Sequence, residues 1–272
     1  MNAASMGPHE VRARIRSGAW RGVTTGACLG HVQANLVVLP QQLADEFDAL
    51  CAANPQPLPL LERTAPGDAA GLRVAPGADL RTDLPRYHVL RNGVLDAEVD
   101  SLEEVWQDDF VAFLLGCSFS AENQLLRAEV RLRHLEIGQG VPMFITSLEC
   151  APAARFHGPV VVSMRPVAVE QVDRAIEVTA RLPLAHGAPL HVGDPGAIGI
   201  TDLGAPDWGD PIDIGPDEVP VFWACGVTPQ AVLRTVRPEL AVTHAPGHMF
   251  ITDLLDEEIV GRAVPGLSPT PP

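Results

Sequence analysis

The sequence predicts an α/β fold, and two observations support this prediction. Short apolar runs rich in β-branched residues, such as "QANLVVLP" and "FVAFLLG", are each followed by a helical pattern. This alternation is typical of domains in which helices cover largely buried strands. Apolar residues make up 46% of the 272-residue chain, which is enough for a sizeable core.

The individual elements follow in chain order. The N-terminal "PHEVRARIRSG" contains arginines but lacks the apolar centre of a secretory signal, so we interpret it as a short surface helix. Four strand–helix pairs come next: "QANLVVLP" with "QQLADEFDALCAAN", "FVAFLLG" with "SAENQLLRAEVRL", "GPVVVSM" with "AVEQVDRAIEVTARL", and "VPVFWA" with "TPQAVLRTV". The long Pro- and Gly-rich segments between them are loops, and loops of this length are usually functional.

Residues 141–205 have the pattern of a smaller α+β unit. Strands are predicted at "MFITSLE", "PVVVSMR" and "APLHVG", with a helix over residues 168–182. We predict that this unit is inserted into a larger α/β domain formed by residues 1–140 and 206–272.

Composition excludes several function classes. The chain has 34 acidic against 19 basic residues and a net charge of −15, which would repel a nucleic-acid backbone. No apolar run approaches the ~18 residues that span a bilayer. Every basic residue is an arginine, so Schiff-base chemistry, covalent pyridoxal phosphate and a P-loop lysine are excluded. We expect neither nucleic acid nor membrane as a partner, and no cofactor.

The five cysteines form no CxxC motif and are odd in number, which predicts free thiols in a reducing cytoplasm. Two of them lie in similar turns, "FLLGCSFSAENQLL" and "VFWACGVTPQAVLR". Ser120 and Thr228 occupy the expected N-cap positions of the following helices, with Pro229 at the first helical position. We predict that both turns face one cleft, where free N–H groups bind an anion or activate Cys117 and Cys225. The alternative is that both cysteines are buried packing residues.

Other polar residues are candidates for the same site. Arg81 and Asp83 in "DLRTDLPRY" would point to one side of an extended segment, as a substrate clamp with an acid/base or as a structural ion pair. Arg165 ends an apolar strand and needs an anionic partner, either a substrate carboxylate or an Asp in a neighbouring loop. His191, His244 and His248 are acid/base or hydrogen-bonding candidates. Since HExxH and cysteine clusters are absent, we expect no metal.

Taken together, these motifs resemble the D-glutamate cyclase family. The resemblance rests on the ordered set "TGACLGHVQANLVVLP", "DLRTDLPRY", "GCSFSAE", "RHLEIGQGVPMF", "VVVSMRP", "HGAPLHVGDPGAIGITDL", "PDWGD", "EVPVFWACGVTPQ" and "THAPGHMFITD". Family members usually have an aromatic residue where Ala121 stands, often Tyr at Phe144 and Cys at Gly140. The resemblance implies a three-layer α/β/α sandwich domain with a smaller two-layer α+β domain.

The resemblance also implies a reaction, the loss of water from D-glutamate to give 5-oxo-D-proline. Arg81 or Arg165 would hold the α-carboxylate, and Asp83 or His191 would act as base. The two turns would protonate the γ-carboxyl oxygen and stabilise its developing negative charge. The further candidates for binding the substrate are Ser118, Ser120, Thr228, Gln230 and His244.

Two alternatives stay open, a hydrolase of amides or lactams with a cysteine nucleophile and a non-catalytic carboxylate-binding module. The expected partner is a small carboxylate substrate, and the composition leaves a homodimer open.

Overall fold

The computed structural model describes residues 3–262, which form six α-helices and eleven strands. The helices are α1 (Pro8–Arg16), α2 (Gln41–Ala53), α3 (Glu122–Arg127), α4 (Arg133–Ile137), α5 (Val172–Ala180) and α6 (Thr228–Val236). The strands are β1 (His31–Pro40), β2 (Leu60–Arg63), β3 (Tyr87–Arg91), β4 (Val94–Val99), β5 (Phe110–Gly116), β6 (Met143–Glu149), β7 (Pro159–Ala168), β8 (His191–Val192), β9 (Glu218–Ala224), β10 (Leu240–His244) and β11 (Phe250–Leu255).

The larger sheet is built around two strands that are buried on both faces. β1 and β5 pair along their length, and every residue of β5 is buried. The strand order is β2-β5-β1-β10-β3-β4, with β11 pairing beside β10 on the same edge of β1. All these pairings are antiparallel. A continuous apolar run therefore indicated burial correctly, although such runs are more typical of parallel sheets.

The two faces of this sheet are covered differently. α2 and α6 cover one face, where the ring of Phe47 packs edge-on against Phe113 at 4.8 Å and Phe156 at 5.5 Å. The other face is covered by apolar residues of the segment 69–84, which forms turns and bends. The mixed α/β architecture is confirmed, whereas the three-layer α/β/α arrangement is not.

The smaller sheet has the antiparallel order β6-β7-β9-β8. α3 and α5 pack on one face of it, against Val167, Val221 and Trp223. Its strand β9 lies beyond residue 205, so the sheet extends past the predicted end of the smaller unit. The division of the chain into two domains stays a prediction.

α6 connects the two sheets. It follows β9 after the short turn at residues 225–227, and its residues Val232 and Leu233 pack on the larger sheet, whereas Ala231 packs with Val161 of β7. These contacts of α6 fix the position of the turn relative to both sheets. Within residues 3–262, no helix is long and apolar enough to cross a membrane.

Candidate active site

A cavity of about 500 Å³ receives residues from both sheets. This volume is typical of small-molecule sites. The turn after β5 and the turn after β9 both line it, so the prediction that these turns face one cleft is confirmed. The polar side chains of the lining are Thr25, Asn35, Cys117, Ser118, His134, Gln139, Ser163, Asp210, Cys225 and His244.

Two glycines in these turns have no room for a side chain. A Cβ atom on Gly226 would lie 1.8 Å from Asn35 Nδ2, and one on Gly116 would lie 1.6 Å from the Leu184 carbonyl oxygen. Asn35 Nδ2 also donates a hydrogen bond to the Gly116 carbonyl at 2.7 Å. The glycine beside each cysteine is therefore required by close contact, and Asn35 links the two turns.

Backbone N–H groups in both turns lie near the cysteine sulfurs. The Phe119 N–H acts to lower the pKa of Cys117, and the N–H groups of Gly226 and Val227 act to lower the pKa of Cys225. Burial nevertheless raises the pKa of Cys117 to about 12, and it also raises the pKa of Cys225 above its ordinary value. At neutral pH both side chains are thiols, which are poor nucleophiles.

Behind the cavity lies a buried cluster of three charged or titratable side chains. Arg165 Nη2 lies 2.7 Å and its Nε 3.2 Å from Glu122 Oε1, and His134 Nε2 lies 2.9 Å from the same oxygen. All three side chains are at most 2% exposed. Burial acts to raise the pKa of Glu122, but Arg165 and His134 outweigh it and hold that pKa below its usual value.

The sequence predicts Arg165 at the end of its strand, and this is wrong. The residue lies within β7, which continues through Ala168. Its anionic partner is Glu122 of α3, where we had expected either an Asp in a loop or a substrate. The guanidinium also lies 5.7 Å from the Phe119 ring and 5.6 Å from the Trp223 ring. These contacts stabilise a charge that would be costly alone.

The guanidinium reaches the cavity through two serines. Arg165 Nη1 donates to Ser163 Oγ at 3.1 Å and Nη2 donates to Ser118 Oγ at 3.3 Å. Because both oxygens accept from the guanidinium, each hydroxyl keeps its own hydrogen for another acceptor. Ser118 and Ser163 line the cavity, so they present two donors backed by a positive charge.

His134 was not among the residues singled out from the sequence. It lies on α4 and lines the cavity, with Nε2 close to Glu122 but without an aligned hydrogen bond. With Nε2 turned toward Glu122, Nδ1 is the ring nitrogen left for a ligand. Its motif, "RHLEIGQGVPMF", supports the family resemblance but carries no local sign of a catalytic histidine. A buried arginine in need of a carboxylate was the signal that could have led to Glu122, but nothing local pointed to His134.

His244 is the last residue of β10 and lines the cavity. Its Nδ1 lies 3.3 Å from the Leu36 amide nitrogen and 3.4 Å from the Leu36 carbonyl oxygen. Burial lowers the pKa of His244 to about 4, so the ring is neutral at physiological pH. Gln230 donates from Nε2 to the His244 carbonyl at 3.0 Å, which gives this predicted binding residue a supporting position. His248 is not among the lining residues.

The expected N-cap roles of Ser120 and Thr228 are wrong. α6 begins at Thr228, whose hydroxyl donates to the Cys225 carbonyl at 2.8 Å and accepts from the Val161 N–H at 3.1 Å. Ser120 lies inside a 3₁₀ turn, and its hydroxyl accepts from the Gln33 N–H at 3.0 Å. Both hydroxyls bind neighbouring backbone groups of the strands, and neither residue lines the cavity.

Arg81 and Asp83 do not line the cavity either. Their segment forms turns, so the assumption of an extended chain is wrong. Arg81 pairs with Asp79 at 2.6 Å, whereas the fully buried Asp83 accepts from Arg16 Nε at 2.8 Å and Nη2 at 2.6 Å. Asp83 thus attaches α1 to this loop.

His191 also lies outside the cavity lining, on β8, with Nε2 2.7 Å from the Asp194 carbonyl oxygen. Of the predicted site residues, the structure brings Cys117, Ser118, Cys225 and His244 into the cavity and places Arg165 directly behind it. In the described part of the chain, no three His, Cys, Asp or Glu side chains are grouped so that they could hold a metal ion.

Comparison with known proteins identifies the family. Residues 111–253 match the family described as D-glutamate cyclase. Proteins carrying the name "Putative hydro-lyase" from Thermoanaerobacter sp. (strain X514) and Stutzerimonas stutzeri (strain A1501) are each 54% identical, over 94% and 93% of this chain and 97% and 96% of their own. A protein of the same name from Bacillus subtilis (strain 168) is 52% identical over 93% of this chain and 99% of its own.

Among solved structures, a nitrogen repressor-like protein from Methanococcus jannaschii aligns with a TM-score of 0.39 at 11% identity, covering 86% of this chain and 91% of its own. A score this low supports no inference. The identities above, over nearly the whole length of both chains, show that the chain belongs to the D-glutamate cyclase family and is an enzyme of that family.

Proposed function

We propose that the chain is a hydro-lyase that closes D-glutamate to 5-oxo-D-proline with release of water. In this reaction the amine nitrogen bonds to the γ-carboxyl carbon, and one carbon–oxygen bond of that carboxyl group breaks. The observation that carries the proposal is the buried Arg165–Glu122–His134 cluster, because it backs both an anion-binding pair of hydroxyls and an imidazole at one cavity.

The two serine hydroxyls supply a site for the α-carboxylate. Ser118 and Ser163 each accept from Arg165 and each can donate into the cavity. Polarised hydroxyls form stronger hydrogen bonds to an anion than hydroxyls without a charge behind them. Arg165 therefore contributes to binding without touching the substrate.

His134 supplies the proton transfers. Starting from the neutral amine and the protonated γ-carboxyl group, nitrogen loses one proton as it attacks, and the departing hydroxyl gains one proton to leave as water. A single imidazole can carry both transfers, so the ring returns to its starting state after each turnover. His134 is suited to this role because it lines the cavity while its Nε2 lies 2.9 Å from Glu122 Oε1.

Charge that develops on the γ-carboxyl oxygen needs hydrogen-bond donors. The residues Phe119, Gly226 and Val227 line the cavity, and their N–H groups lie near the two thiols. A neutral His244 ring adds a side-chain group that can donate without a change in charge. Donors placed in advance in a buried site stabilise an oxyanion far better than water does.

The cysteine-hydrolase alternative has no comparable support, because burial raises the pKa of both thiols. The proposal also leaves Arg81, Asp83 and His191 without a direct role in the chemistry.

The direct test is to incubate purified protein with the D- or L-isomer of glutamate or 5-oxoproline and to separate the products by chiral chromatography. We expect interconversion of the D-isomers. His134→Gln should reduce kcat by roughly 10²–10⁴-fold, as expected for loss of a general acid–base. The exposed His157→Gln is the matched control and should keep its activity. Binding without turnover would show that D-glutamate is a ligand of the site but not its substrate.

A further inference from the structure

Glu122 receives contacts from two residues that the proposed function assigns to different tasks. Arg165 backs the anion-binding serines, and His134 carries protons. Both contact the same carboxylate oxygen, Oε1, at 2.7 Å and 2.9 Å. The carboxylate is 1% exposed, so water does not compete for it.

We propose that Glu122 is a positioning residue that fixes His134 with the proton on Nε2 and Nδ1 free, while it also holds Arg165 behind Ser118 and Ser163. This inference rests on the proposed function and extends it, because one carboxylate then arranges both halves of the site.

The tautomer follows from the charge distribution around the ring. A carboxylate is an acceptor only, so the imidazole nitrogen that faces it is the protonated one. Nε2 faces Glu122, and hence Nδ1 keeps its lone pair. The tautomer of a histidine is commonly set in this way by the partner of its other nitrogen. The free lone pair lies on the side left for a ligand, where a base is needed.

The position of Arg165 depends on the same oxygen. Two of its three nitrogens contact Glu122 Oε1, while Nη1 and Nη2 extend to the two serines. A neutral side chain at position 122 would leave the guanidinium without its counter-charge in a buried place. The guanidinium would then move, and the serine hydroxyls would lose their fixed donor.

The first measurement requires no substrate. Long-range ¹H–¹⁵N spectra of protein labelled with ¹⁵N-histidine report which nitrogen of each ring carries a proton, and His134→Gln assigns the signals of His134. We expect protonated Nε2 and unprotonated Nδ1 in the wild type. A ring protonated on Nδ1, alone or together with Nε2, would overturn the proposal.

The second measurement uses Glu122→Gln, which preserves size and removes the charge. The amide has only one acceptor oxygen, for which Arg165 competes, so we expect the His134 tautomer to become mixed or reversed. An unchanged tautomer in this variant would refute the positioning role. Glu136→Gln is the control, since Glu136 pairs with Arg131 on the exposed side of α4. The wild-type spectrum decides the tautomer even if Glu122→Gln does not fold.

Kinetics add a third measurement. We expect Glu122→Gln to lower kcat by roughly 10²–10⁴-fold, since a carboxylate-to-amide change behind the histidine of a serine-protease triad costs about 10⁴. KM should rise as well, because the serine pair is disturbed. A purely structural role would lower only the folded fraction and leave KM unchanged. If the spectra agree but D-glutamate is not turned over, the substrate is wrong and the positioning role stands.

Discussion

Asp83 provides a sharp test of the distinction between structural and catalytic carboxylates. It is fully buried and lies outside the cavity lining, with Arg16, the Asp79 N–H and the Thr82 hydroxyl as donors. We expect Asp83→Ala to reduce the free energy of unfolding by about 3 kcal/mol while folded protein keeps its turnover and ligand affinity.

The magnitude follows from the individual contacts. Arg16 is 48% exposed, so water hydrates its guanidinium when Asp83 is removed. This hydration offsets part of the free energy that is lost with its two charge-assisted hydrogen bonds. We assign about 1–2 kcal/mol to them, below the full 1.5–3 kcal/mol of one such bond. The half-buried Asp79 N–H, whose hydrogen bond to Asp83 is 3.0 Å long, loses its acceptor, which costs about 1–2 kcal/mol, in the lower part of the range for buried groups. The two contributions sum to about 2–4 kcal/mol, with 3 kcal/mol at the centre.

Urea unfolding followed by circular dichroism measures this loss. Asp96→Ala is the control, because Asp96 forms an exposed ion pair with Arg91 at 3.1 Å and such pairs contribute about 0–1 kcal/mol. A change below about 0.5 kcal/mol in Asp83→Ala would refute the structural role. A loss of turnover of tenfold or more in fully folded protein would show that Asp83 belongs to the chemistry after all.

Three further predictions concern the cavity. Burial lowers the pKa of His244 to about 4 from 6.5, so the unfolded state binds more protons between these values and stability falls as pH drops from 6.5. His244→Gln should reduce this slope by up to about 1.4 kcal/mol per pH unit, as measured by urea unfolding at several pH values. Gly226→Ala would place a Cβ 1.8 Å from Asn35 Nδ2 and should cost about 1–3 kcal/mol in unfolding free energy, against no measurable cost for Gly22→Ala, which has open space. Cys117→Ala and Cys225→Ala should keep turnover within about tenfold, and both thiols should alkylate slowly in native protein and rapidly in urea; complete loss of activity in either variant would favour a cysteine nucleophile.

Much of the fold could be predicted because its signals are local. Residues 31–40 and 110–116 form apolar runs in the sequence, and they became the buried strands β1 and β5. The similarity of the two cysteine turns could be detected in the sequence. In each turn an apolar strand is followed by a small residue, the cysteine and then a helix. The N-cap assignments failed because the hydroxyls of Ser120 and Thr228 bind strands that are distant in sequence.

The centre of the site depends on contacts that no local pattern encodes. Glu122 and Arg165 are 43 positions apart, and Arg16 and Asp83 are 67 apart. Tertiary packing brings each pair together, so the sequence could show that a buried arginine needs a partner but not which partner it has. Asp83 and Arg81 were placed at the site because they looked functional in isolation, whereas each has a structural partner.

The account is tested most directly by oxygen exchange in ¹⁸O-labelled water. Wild-type protein incubated with 5-oxo-D-proline is expected to form D-glutamate carrying one ¹⁸O in its γ-carboxyl group, as read by mass spectrometry, and His134→Gln should slow this incorporation by roughly 10²–10⁴-fold. Label that enters only the L-isomer, no label in any isomer, or equal incorporation by wild type and His134→Gln would contradict it.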